Sequence, residues 1–259
     1  MVIGADGMNS LVARIVGAPT YQEHRSLTCA YYSYWSNVEL EGLEIYARPG
    51  RMIITAPTNN GQVFVVAYWP RSEFQRVRRD IEGSFLSVLD LAPGLAERIR
   101  NGTRSERFRG TGTLPNFYRR PHGPGWALVG DAGYHKDPIT GLGMTDAFRD
   151  AEQLADALDA GLSGREPLEE ALAARERRRN EITAEGYRTT LRLAHLEPPP
   201  PEMHPLLEAL RDDPLETGRL LGAVLGTVSP AAFFTPENIA RIMLRASWKR
   251  SAHQPSVNR

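Results

Sequence analysis

The stretch from Trp126 to Ala151, W-A-L-V-G-D-A-G-Y-H-K-D-P-I-T-G-L-G-M-T-D-A-F-R-D-A, limits what this chain can fold into more than any other. Trp126 to Val129 form a short apolar run suited to a strand covered on both faces. Gly130 ends the run and Asp131 stands at its carboxyl end, the edge where open α/β sheets bind ligands and where a carboxylate can accept hydrogen bonds from sugar hydroxyls. Pro138 stiffens the loop that follows, while Gly141 and Gly143, on either side of Leu142, remove side chains where another molecule can come close. The spacing of Met144, Ala147, Phe148, Ala151, Leu154, Ala155 and Leu158 predicts a helix with those residues on its buried stripe and Asp146, Arg149, Asp150 and Glu152 off it. Amides of its first turn, around Met144 and Thr145, favour a carbonyl oxygen or developing negative charge. A strand, a Gly-Asp turn and a glycine-started helix also occur as plain βα connections, so this stretch alone leaves both readings open.

A second segment has the same form. The chain opens M-V-I-G-A-D-G-M-N-S-L-V-A-R, with Val2 and Ile3 ending an apolar run, Asp6 and Gly7 in a turn, and Ser10 placed to cap a helix. Arg14 is placed either to neutralise a phosphate or to stand as a solvated helix cation.

Together the two segments resemble the FAD-dependent aromatic hydroxylases, the monooxygenases related to para-hydroxybenzoate hydroxylase. G-A-D-G-M-N-S is similar to that family's motif shared between FAD and the nicotinamide cofactor, and the Gly130 to Ala151 stretch to its ribityl and flavin-ring motif. The resemblance implies that Asp131, following Gly130, binds a ribityl hydroxyl, that Pro138 lies beside the reactive edge of the ring, and that the backbone of Gly141, Leu142, Gly143, Met144 and Thr145 faces its N1 and C2-carbonyl side. It places Asp6, Gly7 and Arg14 toward the pyrophosphate. It further implies FAD as cofactor, NADH or NADPH as cosubstrate, and hydroxylation or epoxidation of a small organic substrate through a flavin C4a-hydroperoxide. The sequence departs from the family in having Gly133-Tyr134-His135 where Ala-His is usual, Thr145 where asparagine is common, and Arg14 one residue late. His135, in the loop, is a candidate proton relay, with a hydrogen-bonding role the commoner one for such a residue.

The expected fold is α/β: a partial, Rossmann-like FAD-binding domain over 1–19 and 121–180, an inserted β-sheet substrate domain over 20–120, and a helical region over 181–259. The family's G-x-G-x-x-G unit has no counterpart here, so residue 1 is expected in the last strand of a dinucleotide-binding fold whose first part is missing, by truncation or a misplaced start. In the insert, strands are expected at Leu27–Trp35, Glu44–Ala47, Met52–Ala56 and Val63–Trp69, with Asn60-Gly61 as a hairpin turn, a helix over Ser72–Leu91 and an extended return over 105–120. Of Tyr31, Tyr32, Tyr34, Trp35, Tyr46, Tyr68 and Trp69, strand alternation lets only about half line a pocket.

Beyond Gly161 the expectation is mostly helix: Pro167–Asn180, with Arg175 to Arg179 as a solvated face, then a stiff Glu197-to-Pro201 connector and helices at Pro205–Leu210, Thr217–Val228 and Pro236–Trp248, fraying from Ser251. A net charge of zero gives no case for nucleic acid, and no apolar run approaches a membrane span. The single Cys29 excludes an intrachain disulfide and reads as a small buried strand residue. The cytoplasm is the expected location, no metal site is expected, and oligomeric state is left open. Two rivals stand beside the monooxygenase: a flavin-dependent halogenase or prenyl reductase of the same fold, and a truncated chain acting only as an interaction module. A halogenase would carry W-x-W-x-I-P, which is absent, and a positioned lysine.

Overall fold

The computed structural model describes residues 1–252, with side chains described through Trp248; the expected fraying from Ser251 falls, from His253 on, outside the described residues. The molecule is mixed α/β and divides into two compact units, residues 1–198 and the residues from 199 on.

The first unit opens with β1 (Val2–Gly4), helix α1 (Leu11–Ile15) and β2 (Thr20–His24). A meander follows: β3 (Thr28–Ser36), β4 (Glu44–Arg48), β5 (Arg51–Pro57) and β6 (Gln62–Pro70), each within a residue or so of its expected bounds. The Asn60-Gly61 signal is the β5–β6 hairpin, where both residues take left-handed φ, 58° and 65°. In place of one helix over Ser72–Leu91 the chain makes α2 (Phe74–Arg79) and α3 (Ile81–Leu89), because Asp80 leaves helical geometry and accepts from the Gly83 amide to restart the helix. Pro93 then starts α4 (Pro93–Asn101). Short strands β7 (Thr103–Arg104), β8 (Arg109–Thr111), β9 (Asn116–Arg119), β10 (His122–Gly123), β11 (Trp126–Leu128) and β12 (Tyr134–His135) lead to two long helices, α5 (Gly143–Leu162) and α6 (Leu168–Ala194). α6 runs past Asn180, where the sequence pattern suggested an end, with no glycine-proline stop to break it.

Three sheets result. β1, β11 and β10 form one, with β1 parallel to β11 and at its edge; β12, β9 and β2 form the second. The third is antiparallel, ordered β4-β5-β6-β3-β7 with β8 also on β3. Its two faces have different neighbours. Cys29, Tyr31, Trp35, Ile53, Val65 and Trp69 pack against Val77, Phe85, Leu89, Leu95 and Ile99 of α2 to α4. Residues one step along the same strands, Ala30, Tyr32, Met52, Ile54, Phe64, Val66 and Tyr68, turn to the opposite face and meet Ile139 of the Gly130–Gly143 loop and Leu193 and Leu196 near the end of α6. Each fully buried large side chain contributes about 1.5–3 kcal/mol, so the helix-covered face, with Trp69, Phe85 and Ile53 fully enclosed, carries most of this sheet's stability. Cys29 sits in that core, its thiol pushed up to about 11 by burial, which makes it inert.

The second unit is helical: α7 (His204–Leu210), α8 (Pro214–Val224), α9 (Pro230–Phe233) and α10 (Pro236–Ala252) enclose Leu206, Leu210, Phe233 and Ile242. Buried Glu216 takes charged hydrogen bonds from Arg219 and Arg241, which lets a carboxylate stay in the core. No helix among the described residues is long and apolar enough to cross a membrane.

Candidate functional site

The register of the parallel β1–β11 pair brings the two glycine-aspartate segments together. Ile3 lies beside Ala127 and Gly4 beside Leu128, so the turns holding Asp6 and Asp131 leave the sheet from the same, carboxyl, edge. Arg119 of β9 ties them, donating through Nη1 to the Ala132 carbonyl at 3.0 Å and through Nη2 to the Met8 carbonyl at 3.2 Å.

After β11 the chain turns at Gly130, whose φ of 60° suits glycine, and the Gly130 amide donates to Asp150 Oδ2 at 2.9 Å. Arg175 of α6 donates to Asp150 Oδ1 at 2.6 Å and to the Leu128 carbonyl at 2.9 Å. Strand end, turn, α5 and α6 therefore meet at one buried ion pair. Desolvation pulls the Arg175 pKa down and Asp150 pushes back, which is how the charge survives there. Next to it Asp131 is exposed at the rim of a shallow cleft between loop, α5 and α6, yet with enough protein around its carboxyl that desolvation raises its pKa. His135 and Lys136 oppose that rise and Asp146 adds to it.

The rest of the loop is pinned from beneath. His135 is buried, its Nδ1 bonded to the Pro115 carbonyl and its ring stacked on Phe117 at 5.7 Å. Asp137 is fully buried; it accepts from Thr28 and from the Ile139 amide at 3.0 Å, and its own amide donates to Asn116 Oδ1 at 2.8 Å. Burial raises its pKa and the Thr28 hydrogen bond holds it back. Pro138 begins a single 3₁₀ turn with its ring exposed, and Gly141 ends it at φ 67°. α5 starts immediately after. Leu142 occupies its N-cap position with no side-chain hydrogen bond, and Gly143, Met144 and Thr145 are exposed, so the first turn of α5 stands at the surface with no capping oxygen.

At the other segment the helix start is filled. Ser10 Oγ accepts from the Ala13 amide at 2.9 Å, and Asp6 Oδ2 accepts from Leu11 at 2.6 Å and Val12 at 3.2 Å. The Ser10 hydrogen bond and these amides hold the Asp6 carboxyl below its ordinary pKa. Gly7, at φ 78°, makes the turn, and Arg14 stands exposed on α1.

Two expectations are corrected. Met144, Phe148, Ala151 and Ala155 were expected on the buried stripe of α5 and are exposed, Met144 and Phe148 by 76% and 78%, while Asp146 and Asp150 turn inward. Ion pairs with Lys136 and Arg175, which the periodicity of α5 cannot register, select the inner face of its first two turns. Arg175 to Arg179 was expected to be a solvated face, yet Arg175 and Arg179, one helical turn apart, are buried. Backbone carbonyls of Leu128, Gly133 and Arg119 accept their donors. The sequence reading also missed Arg119, Asp137 and Asn116; the unusual Lys136-Asp137 step before Pro138 was the available signal for a loop anchored by charge.

No protein-family model and no curated protein sequence matches the chain. Solved structures do. A variant of PqsL from P. aeruginosa is 26% identical, with a TM-score of 0.63 over 75% of this chain and 55% of that one. PqsL itself, described as a probable FAD-dependent monooxygenase from Pseudomonas aeruginosa, is 21% identical, with a TM-score of 0.57 over 93% of this chain and 58% of its own. The myxobacterial chondrochloren halogenase CndH, an FAD-dependent halogenase, is 16% identical, with a TM-score of 0.67 over 96% and 61%. This chain thus has a fold similar to those of FAD-dependent monooxygenases and halogenases, and spans less than two thirds of their length.

Proposed function

We propose that this chain carries the flavin-ring end of an FAD-dependent oxidoreductase, a monooxygenase acting on a small organic substrate with NADH or NADPH as reductant. The observation that carries the reading is the uncapped start of α5 lying across a short rigid loop from Asp131, on a fold similar to those of flavin enzymes. The residues fit such a group: amide donors without partners on one side, an exposed carboxylate on the other, and a proline loop between. When bound, FAD supplies the electron transfer and oxygen activation. Asp131 would hold the ribityl hydroxyls as a hydrogen-bond acceptor, the amides of Gly143, Met144 and Thr145 would donate to the flavin ring, and Pro138 would keep the loop between them rigid. Asp6 commits its Oδ2 to α1, and Gly7 and Arg14 of the first segment are the residues placed for the pyrophosphate. Tyr32, Ile54 and Phe64, half-buried on the sheet face that meets Ile139, offer an apolar wall for the substrate.

Titration of the purified chain with FAD tests the reading: saturable quenching of flavin fluorescence and bands in the near ultraviolet and blue are expected. A colourless protein that takes up no FAD would leave the interaction-module reading in its place.

A further inference from the structure

Lys136 is one of the few lysine side chains that a fold can afford to bury, and its surroundings explain how. Its ammonium lies 2.5 Å from Asp146 Oδ2 and 5.4 Å from the centre of the Tyr134 ring, with its side chain 4% exposed. It also lies against α6, where a Cβ on Gly186 would stand 3.5 Å from Nζ, an ordinary contact distance. Asp146 lies in the first turn of α5, keeps its own amide on the Leu142 carbonyl at 2.9 Å, and takes a second, weaker contact from Arg149 at 3.2 Å. The Lys136–Asp146 bond therefore closes the segment that contains Pro138, Gly141 and the uncapped helix start. Asp131 lines the same cleft as Lys136 and Asp146.

We propose that Lys136 is a positioning residue, a buried cation that clasps the Asp131 loop to the first turn of α5 through Asp146 and so sets both halves of the ring-end site from one point. The cofactor side of this rests on the flavin reading; the clasp does not. A buried pair is a poor source of net stability, since two apolar groups of similar volume usually do as well. Its value lies in geometry and field. The charged groups facing Asp131 are His135 and Lys136 from the loop, Asp146, Arg149 and Asp150 from α5, and Arg179 from α6. Within this set Lys136 draws the Asp131 pKa down and Asp146 draws it up, after the larger effects of burial and His135.

The two partners thus have opposite signs at Asp131, and that separates a clasp from mere packing. In the apo chain, K136M should speed amide exchange of Asp146 and Ala147 by roughly tenfold relative to the rest of α5, a local opening. Unchanged exchange there overturns the clasp, whether or not FAD binds. With FAD, K136M should weaken binding roughly tenfold, the scale on which a lost supporting contact is felt at a bound group. It should also move the acid limb of the binding curve to higher pH, D146N should move it to lower pH, and K136M/D146L should return it close to the wild type. The last variant also guards against misfolding, because it leaves no buried charge without its partner, Arg149 being 39% exposed. Limbs that shift in one direction for both single variants, or that do not move, overturn the assignment to Asp131. Wild-type chain that takes up no FAD sinks the flavin reading and leaves the exchange result to decide the clasp.

Discussion

The two helix starts of the parallel pair look alike in sequence and differ in what they leave open. α1 follows a Gly-Asp turn and uses its own Asp6 and Ser10 to satisfy the amides of Leu11, Val12 and Ala13. α5 follows a Gly-Asp turn too, but its carboxylate, Asp131, stays at the cleft rim and no side chain reaches the amides of Gly143 to Thr145. A helix start that caps itself is spent on stability, worth ~1 kcal/mol per cap. One that is held from behind by buried ion pairs keeps its dipole and donors for something else. Support by Lys136, Asp150 and Arg175 in place of a cap is what leaves the donors of the second helix start open.

Breaking that support should have the largest effect. Arg175→Met leaves Asp150 buried without its cation and should cost about 3–5 kcal/mol in chemical unfolding; a loss below 1 kcal/mol would mean that the Gly130 turn holds itself. Asp131→Ala should weaken FAD by about tenfold, or ~1.4 kcal/mol, with little change in unfolding midpoint. Equal loss of stability and binding would show that Asp131 is structural and remove the contrast with Asp6. The smallest effect belongs to α1. Ser10→Ala should cost ~1 kcal/mol and leave ring-end binding intact. The pKa of Asp6 is lowered in the fold, so its contribution is complete above the ordinary aspartate range and disappears as pH falls through the lowered value. Hydrogen exchange of Leu11 and Val12 should accelerate on that acid side, with no matching change at Gly143 to Thr145.

What could be read beforehand was local. Strand, turn and helix near Asp131, the four strands of the meander and the Asn60-Gly61 hairpin all follow from patterns a few residues wide. The site's supports span longer distances: Asp150 to Arg175, Arg119 to Met8, Asp137 to Thr28. Each joins residues whose proximity exists only after the sheets and long helices are assembled. The face of α5 shows the same limit from the other side. Met144 and Phe148 supply a correct helical period, but period alone cannot tell which stripe turns inward when the polar stripe has partners waiting.

The outer edge of β1 carries Val2 and Ile3 half exposed, with Leu11 and Ile15 bare on α1 and Met144 and Phe148 bare on α5. Open strand edges and uncovered apolar side chains are adhesive. The residues of the chain together carry no net charge near pH 7 to oppose such contacts, so a preparation of them is best handled dilute and at a pH well away from neutrality.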